Sequence, residues 1–148
     1  MDDIARLMIE RECERLVTAY CHLVDHGKAE QIAELFSEDG VWASSEVTMN
    51  GREEVREAMA HRQANADRMS RHVCNNFQVD VLDEDRAEGV CYLTLYRHDG
   101  DPSRKWSPLE GPVFVGEYRD WFRRTVEGWR ISRREIDVNF IRSDKGPK

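Results

Sequence analysis

The chain has 148 residues, of which 40% are hydrophobic, so it can bury one substantial core but is short for two ordinary domains. A formal net charge of −7 argues against nucleic acid as a partner, because phosphate binding needs clustered Lys and Arg. No apolar run approaches the roughly 20 residues that cross a membrane, and the acidic N-terminus is unlike a signal peptide. We therefore expect a soluble cytoplasmic protein with a single domain over residues 1–142 and a disordered tail over residues 143–148.

The cysteines, Cys13, Cys21, Cys74 and Cys91, show no C-x-x-C spacing. Their spacing therefore favours neither a zinc site nor a redox pair. Their neighbours are apolar, which is typical of buried free thiols in a reducing compartment. We expect neither a metal nor a cofactor.

The first half of the chain has helical periodicity. Apolar residues recur at helical spacing between residues 3 and 26, and Gly27 follows the last of them as a stop signal. The elements predicted after it are, in order, a helix from Ala29 to Phe36, a turn over residues 37–40, a short strand over residues 41–43 and a helix from Arg52 to about Ala66.

From residue 71 onwards the apolar period changes to two. Helices followed by long strands in meander order predict an α+β fold. In such a fold the N-terminal helices pack in a strongly curved, mainly antiparallel sheet, and the cone-shaped cavity between them is a natural ligand site. The predicted strands cover residues 71–83, 86–98, 112–127 and 129–141, with hairpin turns over 82–86 and 125–129.

Three polar residues occur in stretches that otherwise form core: Tyr20, Asp25 and His72. A phenol, a carboxylate and an imidazole together are the parts of a proton-transfer site. We expect His72 to act as general base, Asp25 to fix its tautomer, and Tyr20 to donate a proton. The alternative is structural: a Tyr with a satisfied hydroxyl, an Asp in a salt bridge and a His that packs or faces solvent.

The spacing of Tyr20 and Asp25 limits this hypothesis. Five residues on a helix place their side chains about 140° apart. They face one cavity only if the cavity wraps the helix end or the backbone bends near Gly27.

Further side chains are predicted to contact the ligand. Asn76 shares the strand parity of His72, although it could instead be a bulge residue. On the last strand either Arg133 or Arg134 faces inward, or both are exposed. For the apolar residues, ordinary core is the alternative. The predicted ligand contacts are Trp42, Met59, Asn76, Leu93, Phe114, Tyr118, Arg133 and Phe140.

The order of elements and several motifs resemble the SnoaL-like branch of the NTF2-like superfamily, over nearly the whole chain. The motifs are Tyr20-x-x-x-x-Asp25, Leu35-Phe36-x-x-Asp39-Gly40, Arg71-His72, and Gly116-x-Tyr118-x-Asp120 with Gly128-Trp129-Arg130-Ile131. The resemblance implies a cone-like α+β fold. It leaves activity open, because the superfamily includes enzymes, scaffolds and binding modules. It also implies a homodimer or homotrimer through the sheet.

Within that branch, Tyr20, Asp25 and His72 resemble the pattern of dehydratases that act on polycyclic substrates, such as bile acid 7α-dehydratase and, more distantly, scytalone dehydratase. Asp25 with His72 also resembles the pair in hexachlorocyclohexane dehydrochlorinase. One departure is that the second long strand has no carboxylate from Cys91 up to Asp99, where the bile acid enzyme carries one. The leaving group or substrate is therefore expected to differ.

The leading hypothesis is a cofactor-independent lyase that dehydrates an apolar cyclic small molecule, or catalyses a related elimination or isomerisation. One alternative is a non-catalytic binding or assembly module resembling the β subunits of ring-hydroxylating dioxygenases. Another is an isomerase like ketosteroid isomerase, for which Asp25 would be the base. This last alternative lacks a second buried acid in the sequence.

Overall fold

The structure, a computed structural model, describes residues 1–101 and 103–145. Helices come first and long strands follow, as predicted. The elements are α1 (Asp3–Asp25), a 3₁₀ helix (Ala29–Leu35), β1 (Phe36–Ala43), β2 (Thr48–Asn50), α2 (Arg52–Gln63), β3 (Arg68–Val81), β4 (Arg86–Asp99), β5 (Phe114–Thr125) and β6 (Gly128–Ile141).

Helix α1 ends close to the predicted stop signal. Gly27 adopts φ = 75°, a left-handed conformation that glycine reaches at little cost. This turn lets the Lys28 N–H donate to the Leu23 carbonyl at 2.9 Å, which closes the last helical turn. Asp25 is therefore the final residue of α1, where its side chain can leave the helix towards the sheet.

The segment between α1 and α2 differs from the prediction. The second helix is a 3₁₀ helix that ends at Leu35, and β1 begins at the next residue. Residues 37–40, predicted as a turn, lie inside β1, whose pairing with β6 shifts register between Phe36 and Val41. Turn-forming residues here make a bulge within a strand instead of a chain reversal. Strand β2, which was not predicted, pairs with the end of β1.

The strands form one sheet in the order β2-β1-β6-β5-β4-β3. Strands β1 and β6 are parallel, and every other neighbouring pair is antiparallel. Because β3 to β6 are consecutive neighbours, the predicted meander is confirmed. The predicted α+β class with a mainly antiparallel sheet is confirmed with it.

The helices pack against one face of this sheet, which we call the inner face. Leu93 of β4, Tyr118 of β5 and Ile131 of β6 lie on it and are almost fully buried. Burying a large apolar side chain contributes about 1.5–3 kcal/mol, so helices and sheet stabilise each other through one core. The helical side chains in this core are Ile9, Cys13, Leu16, Val17, Tyr20, Val24, Ala29, Ile32, Ala33, Val55 and Met59.

Residues beyond β6 leave the sheet. Residues 143–145 form a turn in which the Lys145 N–H donates to the Arg142 carbonyl at 2.8 Å. The rest of the predicted disordered tail, residues 146–148, lies outside the described residues. In the described part of the chain, neither α1 nor any other helix combines the length and apolar character of a membrane span.

Candidate active site

Asp25, at the end of α1, meets His72 on β3. The Asp25 Oδ1 atom lies 2.7 Å from His72 Nδ1, and Asp25 Oδ2 accepts a hydrogen bond of 2.8 Å from the His72 backbone N–H. The Asp25 side chain is only 5% exposed and that of His72 only 13%. The structure thus brings together the two residues that the sequence predicts as base and base-orienting group.

The geometry assigns the tautomer of His72. An ionised carboxylate only accepts hydrogen bonds, so the shared proton belongs to His72 Nδ1. The lone pair is then on Nε2, which has no hydrogen-bond partner within residues 1–101 and 103–145. A general base needs this free lone pair.

Ser70 and Arg62 support the pair. The Ser70 hydroxyl donates to Asp25 Oδ1 at 2.8 Å and accepts a hydrogen bond of 3.2 Å from Arg62. Burial acts to raise the pKa of Asp25, but the hydrogen bonds from His72 and Ser70 outweigh it and the pKa is lowered. Asp25 is therefore ionised at neutral pH and can stabilise a charged imidazolium.

Tyr20, the third predicted residue, is buried against β1. Its hydroxyl oxygen accepts a hydrogen bond of 3.2 Å from Trp42 Nε1. Because an indole N–H only donates, this contact leaves the hydroxyl proton of Tyr20 free for another acceptor. Burial raises the pKa of Tyr20, while Arg134 and the Trp42 hydrogen bond act to lower it. Tyr20 is therefore a protonated donor at neutral pH.

Arg134 of β6 lies fully buried between two aromatic rings. Its guanidinium is 4.3 Å from the centre of the Tyr20 ring and 3.7 Å from that of Tyr118. Two of its nitrogens bind the Asp120 carboxylate, at 2.7 and 2.9 Å. The third, NH1, is buried without a hydrogen-bond partner among the described residues. This nitrogen is an unused donor next to Tyr20.

Tyr20 and Asp25 reach different strands, as their helical phases predict. Asp25 contacts β3, whereas Tyr20 contacts β1 and β5. Arg62 of α2 lies near both groups: burial and Arg68 lower its pKa, and Asp25 and Tyr20 act to raise it. The charge of Arg62 therefore interacts with both Asp25 and Tyr20, although these two residues contact different strands.

The structure places most of the predicted apolar contacts inside. Met59, Leu93 and Tyr118 are buried, and Trp42 and Phe114 are half-buried and pack against the same core. Trp42 and Tyr118 both contact Tyr20. These two predicted ligand contacts therefore touch a predicted catalytic residue.

Arg133 does not point inward. Ile131 and Arg133 pair with consecutive residues of β5, so Ser132 between them is an extra residue. The extra residue reverses the alternation of β6, and Arg134 joins Ile131 on the inner face. Arg133 instead pairs with Glu135 at 2.7 Å, with both side chains 42% exposed.

Asn76 and Phe140 are displaced by bulges in the same way. The register of β3 against β4 shifts between Asn75 and Gln78, and Asn76 lies in that shift, exposed and with φ = 55°. A second shift, between β5 and β6, makes Asn139 an extra residue and leaves Phe140 72% exposed. Neither predicted contact reaches the interior.

Sequence reasoning missed Arg62, Ser70 and Asp120, and it left Arg134 undecided. Ser70 precedes His72 by two residues and therefore shares its strand face, which is a signal that the sequence does contain. Asp120 and Arg134 interrupt otherwise apolar alternation on neighbouring strands, which is also visible. The part played by Arg62 depends on how α2 docks, and no local pattern reports that.

The thiols are free, as predicted, but two of them meet. Cys21 Sγ and Cys74 Sγ are 3.5 Å apart, linking α1 to β3 beside the Asp25–His72 pair. In the described ranges 1–101 and 103–145, no three His, Cys, Asp or Glu side chains form a group that could hold a metal ion.

Comparison with known proteins bears on this arrangement. The model of a SnoaL-like domain family matches residues 5–135. No curated protein matches the sequence. An NTF2-like protein with a cystatin-like fold from Novosphingobium aromaticivorans is 31% identical, covers 90% of this chain and 84% of its own, and has a TM-score of 0.72.

Two more distant structures share the fold. A candidate scytalone dehydratase from Novosphingobium aromaticivorans is 20% identical over 94% of this chain and 89% of its own, with a TM-score of 0.79. LinA is 16% identical over 97% of this chain and 95% of its own, with a TM-score of 0.78. The family match spans most of the chain and agrees with the observed helices and sheet. The protein belongs to the SnoaL-like domain family.

Proposed function

We propose that the protein is an acid–base lyase that removes water, or a related leaving group, from the position β to a carbonyl of a cyclic, largely apolar molecule. The observation that carries this proposal is the contact of 2.7 Å between Asp25 Oδ1 and His72 Nδ1, which leaves Nε2 as a free base. General acid–base catalysis contributes roughly 10²–10⁴-fold in rate.

In the proposed reaction His72 Nε2 takes the proton α to the carbonyl, and Asp25 stabilises the imidazolium that forms. The electron pair of the broken C–H bond becomes the new C=C bond, and the C–O bond to the leaving group breaks. Tyr20 gives its hydroxyl proton to the departing oxygen, so water leaves. Proton transfer from His72 to Tyr20 through solvent restores both groups.

Arg134 NH1 is a donor suited to the developing negative charge on the carbonyl oxygen, because it belongs to a buried guanidinium and makes no hydrogen bond within residues 1–101 and 103–145. Burial alone would lower the pKa of Arg134, but the Asp120 carboxylate raises it well above the ordinary value, so the charge persists. Leu93 and Met59, two of the predicted ligand contacts, are apolar and buried, which favours an apolar substrate. The fold shared with a candidate scytalone dehydratase is compatible with elimination of water.

The test uses simple cyclic ketones, because the natural substrate is unidentified. Exchange of the α-protons for deuterium in D₂O, followed by NMR, reports the first step, and formation of the conjugated enone from a β-hydroxy ketone reports the whole reaction. We expect both rates to fall roughly 10²–10⁴-fold in His72→Ala. His61→Ala, which removes an exposed histidine of α2, is the matched control and should leave both rates unchanged. Equal exchange by wild type and His72→Ala would contradict the proposal.

A further inference from the structure

Two arginines flank Ser70 beside the Asp25–His72 pair. Arg62 of α2 donates to the Ser70 hydroxyl at 3.2 Å. Arg97 of β4 is the direct cross-strand partner of Ser70. Directly opposed residues of antiparallel strands point to the same face, with Cβ atoms about 4.5–5.5 Å apart. Arg62, Ser70 and Arg97, called here the rim cluster, therefore share one side of the sheet.

The rim cluster carries the positive charges of Arg62 and Arg97. Within residues 1–101 and 103–145, neither Arg62 nor Arg97 forms an ion pair, whereas their neighbour Arg68 is held by Asp99 at 2.7 and 2.9 Å. Burial and the nearby Arg68 lower the pKa of both guanidiniums. Partly buried cations without a counterion are unfavourable, and a bound anion would relieve that cost.

We infer that the rim cluster binds a carboxylate or phosphate group carried by the cyclic molecule on which the Asp25–His72 pair acts. This inference rests on the proposed function and narrows its substrate to a cyclic acid. Guanidinium groups bind both anions through paired N–H donors, which an ammonium or a neutral amide does not reproduce. Ser70 connects the rim cluster to the Asp25–His72 pair, because its hydroxyl accepts a hydrogen bond from Arg62 and donates one to Asp25 at 2.8 Å.

The experiment measures binding by calorimetry with 1-naphthoate, 1-naphthyl phosphate and the neutral 1-naphthamide. Wild type should bind at least one of the two anions about tenfold more tightly than the amide, and the tighter anion identifies the natural group. Arg97→Gln should abolish this preference, and Arg97→Lys should retain part of it. Arg123→Gln is the matched control, because Arg123 pairs with Asp39 at 2.6 Å away from the cluster; its preference should be that of wild type.

Equal binding of anions and amide by wild type would overturn the inference, whatever the stability of the variants. Loss of the preference in Arg123→Gln to the same extent as in Arg97→Gln would also overturn it. His72→Ala separates this inference from the proposed function, since it should lose deuterium exchange but keep the preference for anions. If deuterium exchange depends on His72 but wild type shows no preference for anions, the lyase proposal is supported and the rim cluster is not an anion-binding site.

Discussion

Asp25 carries a negative charge at the C-terminal end of a helix, where the helix dipole disfavours it. Three hydrogen bonds compensate, one from Ser70 and two from His72. A carboxylate so placed serves little purpose in helix formation. Its geometry instead holds the His72 ring in one orientation and one tautomer.

The lowered pKa of Asp25 leads to a prediction for stability against pH. A depressed pKa means that the charge stabilises the fold above the ordinary value of about 3.9, and that this contribution is lost as the pH falls through the lower, folded-state pKa. Asp25→Asn should therefore lower the free energy of unfolding by about 1–3 kcal/mol at neutral pH, with the deficit shrinking below about pH 3.9. Urea unfolding at several pH values measures it.

Asp39→Asn is the control for this prediction. Asp39 also has a lowered pKa, first because of a hydrogen bond from Arg123, but its side chain is 73% exposed. Solvent screening should keep its effect below about 1 kcal/mol. A deficit for Asp25→Asn that does not change between neutral and acidic pH would contradict the assignment of an ionised, hydrogen-bonded carboxylate.

At the level of elements, the bulges decide which side chains reach the interior. Strict alternation predicts Asn76 beside Cys74, but one extra residue in β3 turns Asn76 to solvent. A second extra residue in β6 brings in Arg134 and turns Arg133 outward. A bulge depends on how a strand matches its neighbour, so a single strand's sequence does not report it.

Other parts of the site could be predicted because they depend on local pattern. The apolar period of α1 and the stop at Gly27 place Asp25 at the helix end, and alternation from Ser70 to Cys74 places His72 on the inner face. No bulge precedes these positions in their elements. The meeting of α1 with β3 is a tertiary contact, and the family resemblance supplied that expectation.

The Asp120–Arg134 pair joins β5 and β6 in the core and gives a prediction at this level. Asp120→Ala leaves a buried charge without its partner and should destabilise the protein by roughly 3–5 kcal/mol. The double variant Asp120→Leu/Arg134→Met should regain most of that loss, because packed apolar residues often replace a buried ion pair without cost. Urea unfolding followed by circular dichroism measures both.

Glu135→Ala is the matched control. Glu135 follows Arg134 on β6 and pairs with Arg133, but both of these side chains are 42% exposed. The expected loss is at most about 1 kcal/mol. If Asp120→Ala cost no more than Glu135→Ala, the buried pair would not hold β5 to β6 in the way described.

At the scale of the whole molecule, an acidic chain places three arginines in partly or fully buried positions near its candidate site. The net charge is −7, yet Arg62 and Arg97 lie partly buried beside the Asp25–His72 pair and Arg134 lies fully buried near Tyr20. Helices α1 and α2 and strands β1, β3, β4, β5 and β6 each contribute a side chain to this arrangement. The site therefore forms only when the helices dock on the complete sheet.

The proposed chemistry requires that Asp25 hold His72 with a proton on Nδ1 and a free base at Nε2. Long-range ¹H–¹⁵N NMR correlation of the imidazole at neutral pH tests it most directly, with the His72 signals assigned from their absence in His72→Gln. The contact with Asp25 predicts a protonated Nδ1 and an unprotonated Nε2 in the neutral ring. A ring protonated on Nε2, with Nδ1 unprotonated and facing Asp25, would contradict it.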